Sequence, residues 1–226
     1  MVYLRMKQLF YILTILLTLS CASSRFVEPL QKGEQAVGFD LGGPMIAFGD
    51  LTIPIPLTSV VYGRGIDTNL TVFGSLHLTS LLFSNFQTDI GATYRFYESK
   101  NKYIPSFSAS GNGNFVWDLN DTKVKFWPQL DINAYWNFGG KRSYLYAGVS
   151  NWWELAGTRS QDRPQIDRWL VNPQIGFVYK TDKWFYSIET KFLAPSHNNV
   201  NAFVPYVSLL GDKGANGIYF GVGYKF

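Results

Sequence analysis

Three residues of this chain carry the side chains of a hydrolase. Ser75 and His77 lie two apart, so on a strand they share one face. If the strands at 69–79 and 86–97 pair symmetrically across Ser80–Asn85, His77 comes opposite Asp89. A hydroxyl, an imidazole and a carboxylate in one cluster could support nucleophilic attack with general-base help. The same three groups could equally be a histidine satisfied by its neighbours, as a polar interior requires. No Gly-x-Ser-x-Gly turn is present to present a nucleophile. The second histidine, His197, stands in a polar stretch, Pro195 to Asn199. Two His and a single Cys make no zinc-type ligand set, so neither a metal nor a cofactor is expected.

The elements that hold these residues alternate by residue. In Pro128–Phe138, Gln129, Asp131, Asn133, Tyr135 and Asn137 share one face, while Leu130, Ile132, Ala134, Trp136 and Phe138 share the other. The same two-faced pattern runs through 86–97, 105–117 and 184–192. Segments of about ten residues, polar on one face and apolar on the other, fit the wall of a transmembrane barrel. A secreted sandwich is the rival, but the strands are long and their apolar faces carry aromatics near the ends. Composition agrees, with 17% aromatic residues, 21 Gly and a mean hydropathy near zero.

Connections alternate between short and long. Residues 65–68, 98–102, 139–142 and 181–183 are short; 48–55, 80–85, 118–123, 154–167 and 195–215 are longer. Short inner turns and long outer loops give an all-β, single antiparallel up-and-down barrel occupying 34–226. Ten strands are expected, near 35–47, 56–64, 69–79, 86–97, 103–117, 124–138, 143–153, 168–180, 184–194 and 216–226. Twelve is the alternative, if 204–210 forms a strand and 34–50 splits at Gly42-Gly43. On this topology Trp117, Trp127, Trp152, Trp153 and Trp169 fall at the outer rim and Trp136 and Trp184 at the inner rim, although Trp127 and Trp152 have inward parity. The lumen collects Asp89, Arg95, Asp131, Glu189 and Lys191, with Asp40, Tyr135, Tyr144 and Tyr146. Balanced charge favours a closed, hydrogen-bonded interior over an open channel.

The first residues read as an address. Arg5 and Lys7 precede an uncharged apolar run from Leu9 to Leu19, too short to cross a bilayer as a helix. Residues 1–20 are expected to be a signal peptide. The run ends Leu17-Thr18-Leu19-Ser20-Cys21, which resembles the lipobox of bacterial lipoproteins and implies a lipid on Cys21, the only cysteine. Residues 21–33 then read as the lipidated Cys and a tether to the wall. The last strand places Ile218, Phe220, Val222, Tyr224 and Phe226 on one face. An alternating strand closed by a terminal Phe resembles the closing strand of bacterial outer-membrane β-barrels. That resemblance implies that Phe226 and Tyr224 form the signal read by the barrel assembly machinery.

The whole chain thus resembles a small outer-membrane β-barrel lipoprotein, in contact with outer-membrane lipids and lipopolysaccharide. Twenty Lys and Arg stand against sixteen Asp and Glu, and losing Arg5 and Lys7 leaves a net charge of +2, too weak to argue for nucleic acid. The mixed charges of 154–167 make that outer loop the place for a protein partner. Three functions remain. One is a structural or accessory barrel that can join a larger outer-membrane complex; the second is a small passive channel. The third is a lipid hydrolase built on Ser75, His77 and Asp89, since some outer-membrane barrels are lipid A deacylases or phospholipases.

Overall fold

The computed structural model describes residues 22–120, 124–157, 168–200 and 204–226. The expected signal peptide and Cys21 lie outside them, as does most of the loop at 154–167. Eleven strands are present: β1 (Gln35–Phe48), β2 (Leu51–Pro54), β3 (Leu57–Asp67), β4 (Leu70–His77), β5 (Asn85–Tyr97), β6 (Ser106–Asp118), β7 (Val124–Phe138), β8 (Ser143–Trp153), β9 (Trp169–Lys180), β10 (Trp184–Asn198) and β11 (Lys213–Lys225). One helical turn, α1 (Leu78–Leu81), follows β4. Ten strands pair antiparallel with their neighbours in sequence, and β1 pairs with β11 from Ala36↔Lys225 to Pro44↔Gly217, so the sheet closes. The barrel has no free edge to protect. Phe226 completes the seam with backbone bonds to Gln35 in both directions, at 2.9 and 3.1 Å.

β2 is no part of the wall. It folds back on the outer end of β1, pairing Met45↔Pro54 through Phe48↔Leu51. The stretch 204–210 is likewise no barrel strand. Tyr206 makes one bridge to Ile46, Val207 donates to Met45 at 2.9 Å, and the segment leans on that hairpin above the mouth. β1 continues through Gly42-Gly43 without a break, so the wall has ten strands and not twelve.

The alternation of polar and apolar residues is turned inside out relative to a water-soluble protein. Val37, Phe39 and Leu41 on β1, Ile90 on β5, Ile132 on β7, Ile175 on β9, Ile188 on β10 and Phe220 on β11 all face outward and exposed. Their sequence neighbours Asp89, Asp131, Asn133, Gln174 and Glu189 are buried, as is Lys191 further along β10. An apolar exterior closed on itself is what a bilayer requires of a β-structure. Trp117 and Trp169 stand exposed near the outer ends of their strands and Trp184 near an inner end, against Tyr224. Trp127 and Trp152, of inward parity, are buried inside.

Residues 22–33 overturn the expectation of a tether. Residues 22–30 run inside the barrel, with Ser23, Arg25, Val27 and Leu30 buried, and the exposed residues 31–33 lead to β1. The segment forms no strand, so the wall's side chains satisfy its backbone. Ser108 donates to the Val27 carbonyl at 2.6 Å, the Leu30 amide donates to Thr71 at 2.7 Å, and Lys191 donates to the Ala22 carbonyl at 2.8 Å. A tether in solvent would leave ten inward-facing strands with a polar lumen to fill, and this segment fills it.

Candidate functional site: a plugged lumen

Arg25 is the centre of the lumen. Its guanidinium pairs with Asp40 of β1 and reaches Ser59 of β3 at 3.0 Å, Ser75 of β4 at 3.2 Å and Asp89 of β5 at 3.3 Å. One planar cation therefore joins four consecutive wall strands to the plug, a use for which its fork of donors suits arginine better than lysine. Opposite it, Glu189 of β10 accepts the Ser24 amide at 3.1 Å and the Tyr146 hydroxyl at 2.6 Å, and lies 3.5 Å from Lys191. Nearer the inner end, Glu28 of the plug pairs with Lys180 of β9 and accepts from Asn137 at 3.3 Å.

The plug also fits by shape. At Phe26 the backbone bends through φ 44°, and the ring packs between Phe73 and Phe185. It lies over Gly63, where a Cβ would stand 2.5 Å from it. At Gly65 a Cβ would meet the Gln31 carbonyl oxygen at 2.0 Å, so the chain there approaches the wall as only glycine permits. Val27 closes an apolar cluster with Tyr135, Tyr144, Tyr146 and Val178. The outer half is filled separately by Trp152, Leu193, Ala215 and Tyr219, with Leu57, Leu170 and Tyr206 against them. A cavity of about 850 Å³ remains between plug and wall, reaching the inner turns at Thr68, Glu98, Gly140 and Asp182. At that mouth Glu98 binds Arg95 and Lys141, each at 3.1 Å. The Lys141 hydrogen bond, together with the charge of Arg95, holds its carboxyl below the usual carboxylate range.

All the charged residues expected in the lumen are there, buried or nearly so: Asp40, Asp89, Arg95, Asp131, Glu189 and Lys191. Ser75, His77 and Asp89 do meet, but in a different register. Ser75, not His77, stands opposite Asp89, because α1 ends β4 at His77 and shifts the pairing by two residues. Asp89 is the hub of the cluster. It accepts from the Ser75 hydroxyl and lies 3.0 Å from His77 Nε2 on the same carboxylate oxygen. The serine proton thus points at the carboxylate and not at the imidazole, while Arg25 sits on the serine oxygen. General-base activation of Ser75 by His77 needs the opposite arrangement. The plug also stands between this cluster and the inner mouth. His197 lies at the outer end of β10 beside Ser196, away from the lumen cluster. Among the described residues no group of His, Cys, Asp and Glu is placed to hold a metal ion.

The residues that sequence reasoning missed are Arg25 and Glu28, which belong to no periodic segment. A signal for them existed in the wall itself. Without the plug the wall's lumenal carboxylates Asp40, Asp89, Asp131 and Glu189 face only Arg95 and Lys191, an imbalance that a buried lumen does not sustain.

No family model matches the chain, and no curated protein matches it. Solved structures with a similar fold are bacterial barrels. An outer-membrane channel from Pseudomonas putida F1 aligns over 91% of this chain and 100% of its own, at 10% identity and a TM-score of 0.49. The KdgM porin aligns over 84% and 99%, at 10% identity and 0.44. The translocator domain of the autotransporter NalP from Neisseria meningitidis aligns over 88% and 91%, at 10% identity and 0.45. The membrane-spanning character of this chain rests on its own closed sheet and apolar exterior.

Proposed function

We propose that the chain is a closed, self-plugged β-barrel of the bacterial outer membrane, with a structural or accessory role and not an enzymatic one. One observation carries this reading: residues 22–30 occupy the lumen and lock to four strands through Arg25. The outer apolar cluster around Trp152 and Tyr219 adds a second closure. A side-chain-filled barrel of this size offers a rigid wall and outer loops, which suits a component that stands beside partners in a larger complex. The outer loop that includes Glu154–Gly157 and the hairpin tip at Phe48 and Leu51 are the surfaces such a partner would meet.

Single-channel recording of the purified full-length protein in a planar bilayer tests the closed lumen. A silent bilayer containing correctly folded protein is expected. Steady ohmic openings would replace this reading with the second one, a small passive channel. The cavity beside the plug favours that alternative, because it brings solvent from the inner mouth to Tyr144 and Tyr146.

A further inference from the structure

The inner rim carries a charge pattern that the plug does not explain. Six exposed cations there, Lys32, Arg64, Lys100, Lys102, Arg142 and Lys183, make no ion pair among the described residues. The exposed acids of that rim without a cationic partner are Asp67, Asp182 and the carboxylate of Phe226. At the outer end the exposed charges of the described residues balance, Arg168 and Lys213 against Asp50 and Asp212. The excess therefore belongs to one end of the barrel, and it favours an anionic counterpart at that end.

Part of this charge stands on the lipid-facing side, at the seam. Trp184 pairs with Tyr224, Tyr224 with Val37 and Val37 with Tyr62, so these four lie at one height across β10, β11, β1 and β3. All have outward parity and together form an apolar, aromatic belt. Two residues nearer the inner end on the same face come Phe226, Gln35 and Arg64, and Gln35 is the register partner of Arg64. Directly opposed residues hold their Cβ atoms about 5 Å apart, so the guanidinium and the amide can reach one spot. The Tyr62 hydroxyl donates to Oε1 of Gln35, which leaves the amide nitrogen as a second donor beside Arg64. Neither donor is paired with an anion, and the Phe226 backbone oxygen takes the Gln35 backbone amide at 3.1 Å. At the other end of the row Lys183 holds its ammonium 6.0 Å from the centroid of the Tyr224 ring.

We propose that the inner rim at the seam is a binding site for an anionic phospholipid of the inner leaflet. Its phosphate sits on Arg64 and Gln35, Lys183 adds charge from across the seam, and its acyl chains lie against Trp184, Tyr224, Val37 and Tyr62. The proposal needs the closed barrel in its bilayer but not the plug. An arginine on a lipid-facing surface lays its stem along apolar neighbours and brings its head to the interface. There the phosphate oxygens match the fork of guanidinium donors. Aromatic rings at the same depth mark the boundary between chains and headgroups. An anionic polymer of the periplasm is the rival counterpart. It would meet the cations of the turns, but not a donor pair that lies on the lipid-facing side of β1 and β3.

The test is native mass spectrometry of the purified full-length protein, released from micelles that hold phosphatidylglycerol and phosphatidylethanolamine in equal amounts. A cation at a lipid surface contributes roughly a fivefold preference for anionic lipid, and the Phe226 carboxylate offsets one of the two cations. Phosphatidylglycerol should therefore be retained about fivefold over phosphatidylethanolamine. Arg64→Gln combined with Lys183→Gln should bring the two lipids to parity. Arg168→Gln combined with Lys213→Gln makes the same change in net charge at the outer end and should leave the preference intact. All four residues are exposed, and the heat-dependent gel shift of the barrel reads the folding of each variant. Equal retention of both lipids by the unaltered protein overturns the proposal, as does a preference that survives the inner pair of substitutions. An equal loss in the outer pair overturns it too, since net charge and not the rim would then attract the lipid. Cosedimentation with isolated peptidoglycan that the inner pair abolishes, with lipid retention unchanged, would assign the rim to the periplasmic polymer instead.

Discussion

Replacing Arg25 with Met keeps an unbranched stem of similar length and removes the charge. In the plugged barrel two carboxylates would lose their guanidinium partner. Breaking a buried ion pair by removing one partner costs about 3–5 kcal/mol, because the other charge is left desolvated. The structure sets where in that range the loss falls. Asp89 keeps His77 at 3.0 Å and the Ser75 hydroxyl, whereas Asp40 loses the cation it is paired with. The penalty should therefore lie toward the lower end, about 3 kcal/mol. It applies only while the plug is seated, since a vacated lumen admits water to both carboxylates. The opening equilibrium of residues 22–33 then shifts by roughly 150-fold, at about 1.4 kcal/mol per factor of ten.

Amide hydrogen exchange on the detergent-folded protein reads this directly, because local opening sets the protection of a segment independently of the wall. Peptides covering 22–33 should exchange roughly a hundredfold faster in Arg25→Met. Peptides from β7 should keep their native protection. Arg25→Lys should recover part of the effect, since an ammonium restores the charge but not the fork of bonds. A change of less than tenfold in 22–33 would refute the central place given to Arg25. So would an equal loss in β7, since Arg25 would then hold the wall and not the plug.

Three other outcomes follow from the same contacts. Gly65→Ala forces a Cβ against the Gln31 carbonyl oxygen, and overpacking of this kind costs about 1–3 kcal/mol; exchange of 22–33 should rise at least severalfold, and unchanged protection would show that the plug does not need this approach. Phe226→Ala keeps the seam bonds to Gln35, which are backbone bonds, but removes the terminal ring. Refolding in detergent should be unaffected while the amount of folded barrel in cell outer membranes falls severalfold; equal amounts would remove Phe226 from the assembly signal. His77→Ala should leave the lipid A and phospholipid profile of cells unchanged, since His77 serves Asp89 and not Ser75. A profile altered by this variant but not by Arg25→Met would restore the hydrolase reading.

The wall was legible in the sequence because each of its residues answers to one of two solvents. Lipid outside and a polar lumen inside impose a period of two on every strand, so Gln129 to Phe138 could be assigned to faces before any contact was known. The strand count followed from the alternation of short turns and long loops. The error at Asp89 had a local cause. Symmetric pairing assumes that a loop takes equally from both strands, but α1 takes Leu78–Leu81 from β4, and this displaced His77 from its expected partner.

The plug was illegible for a different reason. Residues 22–30 are buried or half-buried at every position, and polar and apolar side chains fall on both alternating faces, so no hydropathic period is written into the segment. A short mixed stretch with Ser23, Ser24 and Pro29 reads the same whether it floats in water or is clasped by side chains. Its imprint is carried by the barrel instead. Gly63 and Gly65 give β3 no side chain where Phe26 and Gln31 must pass. Four lumenal carboxylates outnumber the two buried cations, Arg95 and Lys191, that the wall supplies. Ser59, Ser75 and Ser108, each small and polar, converge on one guanidinium or one carbonyl. None of these choices serves an empty lumen, where glycine adds chain entropy to no purpose and clustered like charges repel. Together they specify a cationic, closely fitting occupant, and the only described segment that meets the specification is the one joined to β1 at Gly33.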